Sequence, residues 1–200
     1  VASILEFAKR YSDIETERSI IFLTVTLEES GLLGSEYFAK YPPIDLSQVV
    51  GGFNFDGILP TGLTNDMVVV GYGASELEDL LEAELEKNGR YIKPDPNPEK
   101  GYFYRSDHIS LAKRGVPMLY ADGGFDFVDG GREAGFEFEE SYRLGAYHGV
   151  ADEYDPAWNL EGLNQSIDVI FNISNELANS SNWPNWYEGN EFKATRDAAR

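Results

Sequence analysis

The stretch Ile20 to Tyr41, IIFLTVTLEESGLLGSEYFAKY, constrains this chain more than any other. Its opening run, Ile20 to Leu27, is apolar and β-branched, with the length and type of a strand buried on both faces. Glu28 and Glu29 follow at the strand's carboxyl end. Ser30-Gly31 then turns the chain into a helical segment carrying Leu33, Tyr37 and Phe38, which Pro42-Pro43 stops. Open α/β sheets bind their ligands at the carboxyl ends of the strands. Two adjacent acids at such an end can take different tasks, because side chains alternate along a strand. Taken alone, the same pair reads equally as two solvated glutamates in a turn.

The remaining chain repeats the pattern. Ahead of the central stretch, apolar residues 1, 4, 5 and 8 mark one face of a helix reaching about Tyr11. That helix starts mid-pattern, without a Met or an N-cap, which leads us to expect a chain cut from a longer parent. Val49 to Phe55 reads as a second strand ending on Asp56-Gly57, and Met67 to Tyr72 as a third. Ser75 and Glu78 form a capping box for a helix with Leu77, Leu80, Leu81 and Leu85 on one face, ended by Asn88-Gly89. Pro94 to Glu99 reads as a loop. Ser106-Asp107-His108 opens a short helix over Ile109 to Arg114, and Met118 to Ala121 is a fourth strand. Asp122 to Tyr147 has weak periodicity and reads as a long functional connection. Its Phe125 and Phe127 suggest a wall of a substrate pocket. Leu163, Ile167, Ile170, Ile173 and Leu177 lie on one face of a last helix, and Trp183 to Tyr187 form a tail that packs on the domain. Alternating strands and helices predict one α/β domain over 1–200, a three-layer sandwich whose mostly parallel central sheet is flanked by helices.

Charge narrows the partners. The 35 acidic residues against 16 basic give a net charge of −19, which disfavours phosphate backbones and anionic lipid. We therefore expect no nucleic-acid and no membrane partner. The chain has no cysteine, so thiolate metal sites and disulfides are excluded. No apolar run approaches the ~20 residues of a membrane span.

Four segments stand together: LEESGLLGSEYFA at 27–39, NFDG at 54–57, YRSDHISLAKRGVP at 104–117 and YHGVADEYD at 147–155. In this order and spacing the chain resembles the co-catalytic zinc aminopeptidases of peptidase family M28. The resemblance implies a zinc-exopeptidase fold with its N-terminal part missing, a peptide substrate and two Zn²⁺ ions per complete site. It also implies a secreted or periplasmic location. Residue by residue, it makes Glu28 the general base and Glu29 and His148 ligands of one metal. Asp56 would bind the other metal, Tyr147 would hold the oxyanion, and Asp107 would support the site.

The family also has a His-x-Asp segment and a bridging aspartate, neither of which occurs in this sequence. The chain's two histidines are His108 and His148. The expectation is therefore a C-terminal portion of a catalytic domain with partial or absent zinc, inactive alone, with the missing N-terminal part as a candidate partner. Other readings stay open at individual positions. Asp56 before Gly57 is also a turn residue, His108 reads as structural or supporting, and Asp152 and Asp155 read as caps of the following turn. A carboxypeptidase on this fold would need a cation, for which Arg105, Arg132 and Arg143 are available; a glutaminyl cyclase is a further relative. A non-catalytic binding domain without metals, or an unrelated acidic ligand-binding domain, are rivals of a different class.

Overall fold

The computed structural model describes residues 1–57 and 59–199. Seven α-helices are described: α1 (Ala2–Tyr11), α2 (Leu33–Lys40), α3 (Leu77–Glu86), α4 (His108–Ala112), α5 (Gly131–Gly145), α6 (Glu161–Ala178) and α7 (Lys193–Ala198). Four strands, β1 (Gly52–Asn54), β2 (Asp66–Val69), β3 (Tyr91–Pro94) and β4 (Met118–Gly123), form an open sheet in the order β1-β4-β2-β3. β1 pairs with β4 and β2 with β3 in parallel, whereas β2 and β4 run antiparallel.

Alternation along the strands builds a core on each face of the sheet. Met67, Val69, Leu119 and Ala121 point to one face, where they meet Phe7 and Tyr11 of α1, Leu77, Leu81 and Leu85 of α3, and Ile167, Ile170 and Ile173 of α6. Met118 and Tyr120 point to the other face, together with Val70 just past β2, against Ile109 and Ala112 of α4 and the tail residues Trp186 and Phe192. Helix, sheet and helix thus form three layers. The tail packs as expected: Trp186 is buried, and its Nε1 donates to the Gly115 carbonyl at 3.0 Å.

The capping box before α3 forms by half. The Glu78 carboxylate accepts from the amides of Gly73, Ala74 and Ser75 at 2.8, 2.7 and 3.3 Å. The Ser75 hydroxyl is buried and finds no partner.

Several elements differ from the sequence reading. The run Ile20–Leu27 is not a strand: residues 19–25 are irregular, and Ile21 and Phe22 are exposed. A β-prone run becomes a strand by pairing at ~4.8 Å from a neighbour. Here Ile20 to Val25 face β1, the edge of the sheet, across a cavity of about 370 Å³. In α1 the buried residues are Phe7 and Tyr11, while Val1 and Leu5 of the predicted apolar face are exposed. Tyr91–Pro94 is an edge strand whose closing Pro94 reads from sequence as a loop, and proline is tolerated at a sheet edge. Much of the segment Asp122–Tyr147 is the helix α5 rather than a connection.

The turn bearing the two glutamates is tied down locally. The amides of Ser30 and Leu33 donate to the Leu27 carbonyl, those of Gly31 and Leu32 to Glu28, and that of Gly34 to Thr26. A Cβ on Gly34 would lie 2.5 Å from the Thr26 carbonyl oxygen and 2.6 Å from its nitrogen. Gly34→Ala must therefore push α2 away from this turn. The expected cost is about 1–3 kcal/mol of stability, read as a lower urea midpoint. An unchanged midpoint would show that the turn is not packed on Gly34.

Candidate active site

A cavity of about 420 Å³ opens at the carboxyl end of the sheet. The turn after the Ile20–Leu27 run brings Glu28 and Glu29 to it, the end of β1 brings Asp56, and the loop after α5 brings Tyr147 and His148. These five residues, predicted from three separate parts of the chain, line one space. His148 Nε2 lies 2.9 Å from Glu29 Oε1, and both side chains stay largely exposed. Tyr147 stacks on His148 with ring centroids 3.9 Å apart. Asp107 does not line this cavity. It lies on the second cavity with His108 and Ser35, close enough to Glu28 and Asp56 to repel both.

Backbone conformation at the site is uncommon. Leu27, directly before Glu28, has φ +60°, and His148 has φ +57°. Both are non-glycine residues in the left-handed region, which needs support from the surroundings.

Acid crowding sets the electrostatics. Burial, then the charges of Asp56, Glu29 and Asp107, hold the half-buried Glu28 carboxyl above its usual range. Asp122, at the end of β4, is pushed up to about 7, by burial first and by Asp56 second. The sequence reading did not select Asp122, although the signal that marked Asp56, an acid closing a strand, is present at Ala121-Asp122. In the sheet, Asn54 pairs in parallel with Tyr120, so Asp56 and Asp122, two residues further along, come side by side on one face.

The other candidates separate cleanly. His108 is structural: it is buried edge-on between Phe103 and Tyr120, with ring centroids 4.7 and 5.2 Å away. Asp155 caps the following turn by accepting from the Ala157 amide at 2.8 Å. Asp152 does not cap; its carboxylate accepts from the Tyr142 hydroxyl at 2.9 Å and it lines the cavity. Arg105 and Arg143 line the cavity too, while Arg132 lies over the Phe136 ring. Arg143 is engaged by Glu139 at 2.8 Å and the Tyr102 hydroxyl at 3.2 Å. Phe125 and Phe127 line the cavity and pack against α5, Phe125 stacked on Phe136 at 5.0 Å and Phe127 6.0 Å from Phe138 between ring centroids.

The donors suit a hard or borderline cation in kind: one imidazole and two carboxylates reach a single cavity, and the imidazole already meets one carboxylate. Among the described residues, no three His, Asp or Glu side chains converge closely enough to hold a metal ion together.

A three-layer α/β domain with carboxylates and an imidazole at the carboxyl end of its sheet is the class that fold and site define. The chain belongs to peptidase family M28, whose sequence model matches residues 1–174. Among solved structures it is similar to an aminopeptidase from Aneurinibacillus sp. strain AM-1, with 20% identity and a TM-score of 0.63. That likeness covers 91% of this chain and 39% of the aminopeptidase, so the chain spans well under half the length of this neighbour. No curated protein matches the chain.

Proposed function

We propose that this chain carries part of the active site of a zinc-dependent exopeptidase, most specifically an aminopeptidase acting on peptides. The observation behind this reading is the meeting of Glu28, Glu29, Asp56, Tyr147 and His148 in one cavity of a peptidase-family fold. Glu29 and His148 would hold one zinc ion and Asp56 would contribute to a second. Bound zinc supplies a water of lowered pKa and polarises the peptide carbonyl. The chain's own residues do the rest. Glu28, half-buried and with raised proton affinity, takes a proton from the attacking water and returns it to the departing amine. The Tyr147 hydroxyl, held by stacking on His148, donates to the oxygen that gains charge. The acidic lining favours the free ammonium of a peptide N-terminus over a C-terminal carboxylate, which argues for an aminopeptidase rather than a carboxypeptidase.

The deciding assay offers two sets of peptides, one with a blocked N-terminus and one with a blocked C-terminus, to a zinc-supplemented form that carries the family's complete metal site. Hydrolysis of the C-terminally blocked set alone is the expected result. Cleavage of the N-terminally blocked set would make the protein a carboxypeptidase, with Arg105 as the cation to examine.

A further inference from the structure

The cavity extends past the residues used above. Asp122, beyond Asp56 as seen from Glu28, has an enclosed Oδ1 that accepts no hydrogen bond among the described residues. Glu28 interacts electrostatically with Asp56, Glu29 and Asp107, whereas Asp122 interacts with Asp56 and Asp95. Asp56 is the carboxylate common to both groups, so Asp122 and Asp95 define a separate end of the cavity. Register fixes this end. Val68 of β2 pairs with Asp122, and Pro94 of β3 pairs with Val69, which places Asp95 just past the end of β3.

This end has the chemistry of a cation receptor. Asp122 and Asp95 line the cavity together with Val68, Val70, Phe125 and Phe127, and Asp95 is fixed in place by its Oδ1, which accepts from the Asn97 amide at 2.8 Å. The two basic side chains that line the cavity are engaged away from this end: Arg143 by Glu139 and Tyr102, and Arg105 over the Tyr102 ring at 5.8 Å, where its charge acts on Glu28. The Tyr120 hydroxyl, near both Asp56 and Asp122, can give its one proton to only one of them at a time. A buried acceptor without a donor is costly, and a ligand that brings N–H donors and positive charge would relieve both this and the crowding of Asp122 with Asp56 and Asp95. Aromatic faces beside the carboxylates suit the methylene stem and the charged head of such a group.

We propose that Asp122, with Asp95, Phe125 and Phe127, forms a specificity pocket for a cationic side chain, so that the preferred peptides begin with lysine or arginine. This rests on the exopeptidase reading, which places the scissile bond at Glu28 and leaves the far end of the cavity to the first side chain.

Two measurements separate the pocket from the chemistry. Equilibrium binding by calorimetry needs no turnover and compares lysinamide, N-acetyl-lysinamide and norleucinamide on the full chain. The two lysine probes should bind about tenfold or more tightly than norleucinamide. Asp122→Asn should abolish that difference, and Asp95→Asn should reduce it. Lysinamide and norleucinamide binding equally, with Asp122→Asn weakening both alike, would assign Asp122 to the α-ammonium and overturn the proposal. So would a lysine preference that survives in both folded variants. In a zinc-supplemented form that carries the family's complete metal site, kcat/KM for Lys-Ala-Ala over norleucyl-Ala-Ala should fall about tenfold in Asp122→Asn, chiefly through KM. An unchanged ratio would likewise overturn the pocket. Absence of any hydrolysis, with the lysine-specific binding intact, would instead remove the peptidase reading and leave the cation pocket standing.

Discussion

In a zinc-loaded form that carries the family's complete metal site, Glu28→Gln is expected to lower turnover by roughly 10²-fold or more while bound metal stays at its parental level. Glutamine keeps the shape of the side chain and can no longer accept a proton. Glu28 is set up for proton transfer by the structure. It is half-buried, and burial together with Asp56, Glu29 and Asp107 raises its proton affinity. A carboxylate shifted in that direction is a better base near neutral pH than a solvated one. Glu29→Gln should behave differently, because Glu29 reaches His148 at 2.9 Å and would share a metal with it. That variant should lose metal as well as rate. Metal content by elemental analysis beside kcat distinguishes the two. Near-parental turnover in Glu28→Gln would remove the residue from its role.

The second large effect concerns His108 and pH. Burial lowers its pKa from 6.5 to about 4, and neither ring nitrogen has a hydrogen-bond partner among the described residues. Above pH 6.5 the imidazole is neutral in the folded and the unfolded chain, and its contribution is fully present. Between pH 6.5 and 4 the unfolded chain binds a proton that the folded chain refuses, so stability is lost as pH falls. At ~1.4 kcal/mol per unit, the shift corresponds to about 3 kcal/mol. His108→Leu removes no hydrogen bond and keeps an apolar side chain between Phe103 and Tyr120. Urea unfolding at pH 7 and pH 4 should show a loss smaller by about 3 kcal/mol in this variant than in the parent. Equal losses would mean that the imidazole charges within the fold.

Both effects trace to one arrangement. Asp107 and His108, adjacent in sequence at the start of α4, line the second cavity, behind the site. One carries charge towards Glu28, and the other seals the core below. Substitutions at α4 should therefore be sorted by stability measured at two pH values before any loss of activity is assigned to chemistry.

Local sequence determined the elements whose signals are local. The apolar spacing of α6, the carboxylate of Glu78 closing the start of α3 and the Gly115 stop after α4 each act within a few residues, so each could be read directly. The family motifs carried Glu28, Glu29, Asp56, Tyr147 and His148, and the fold brings all five to one cavity. The tertiary structure decided what depends on a partner. Ile20–Leu27 has the composition of a strand, but a ladder needs a second backbone at hydrogen-bonding distance, and composition cannot supply one. Helix α5 escaped notice because its glycines and many charged residues make it polar on average, and its cavity face mixes Gly135 and Phe138 with Glu139 and Tyr142, so its spacing is masked by loop-like composition. Asp122 closes a strand just as Asp56 does. Only the parallel register of β1 with β4 reveals that the two acids stand side by side, because strand pairing joins residues that the sequence holds 66 positions apart.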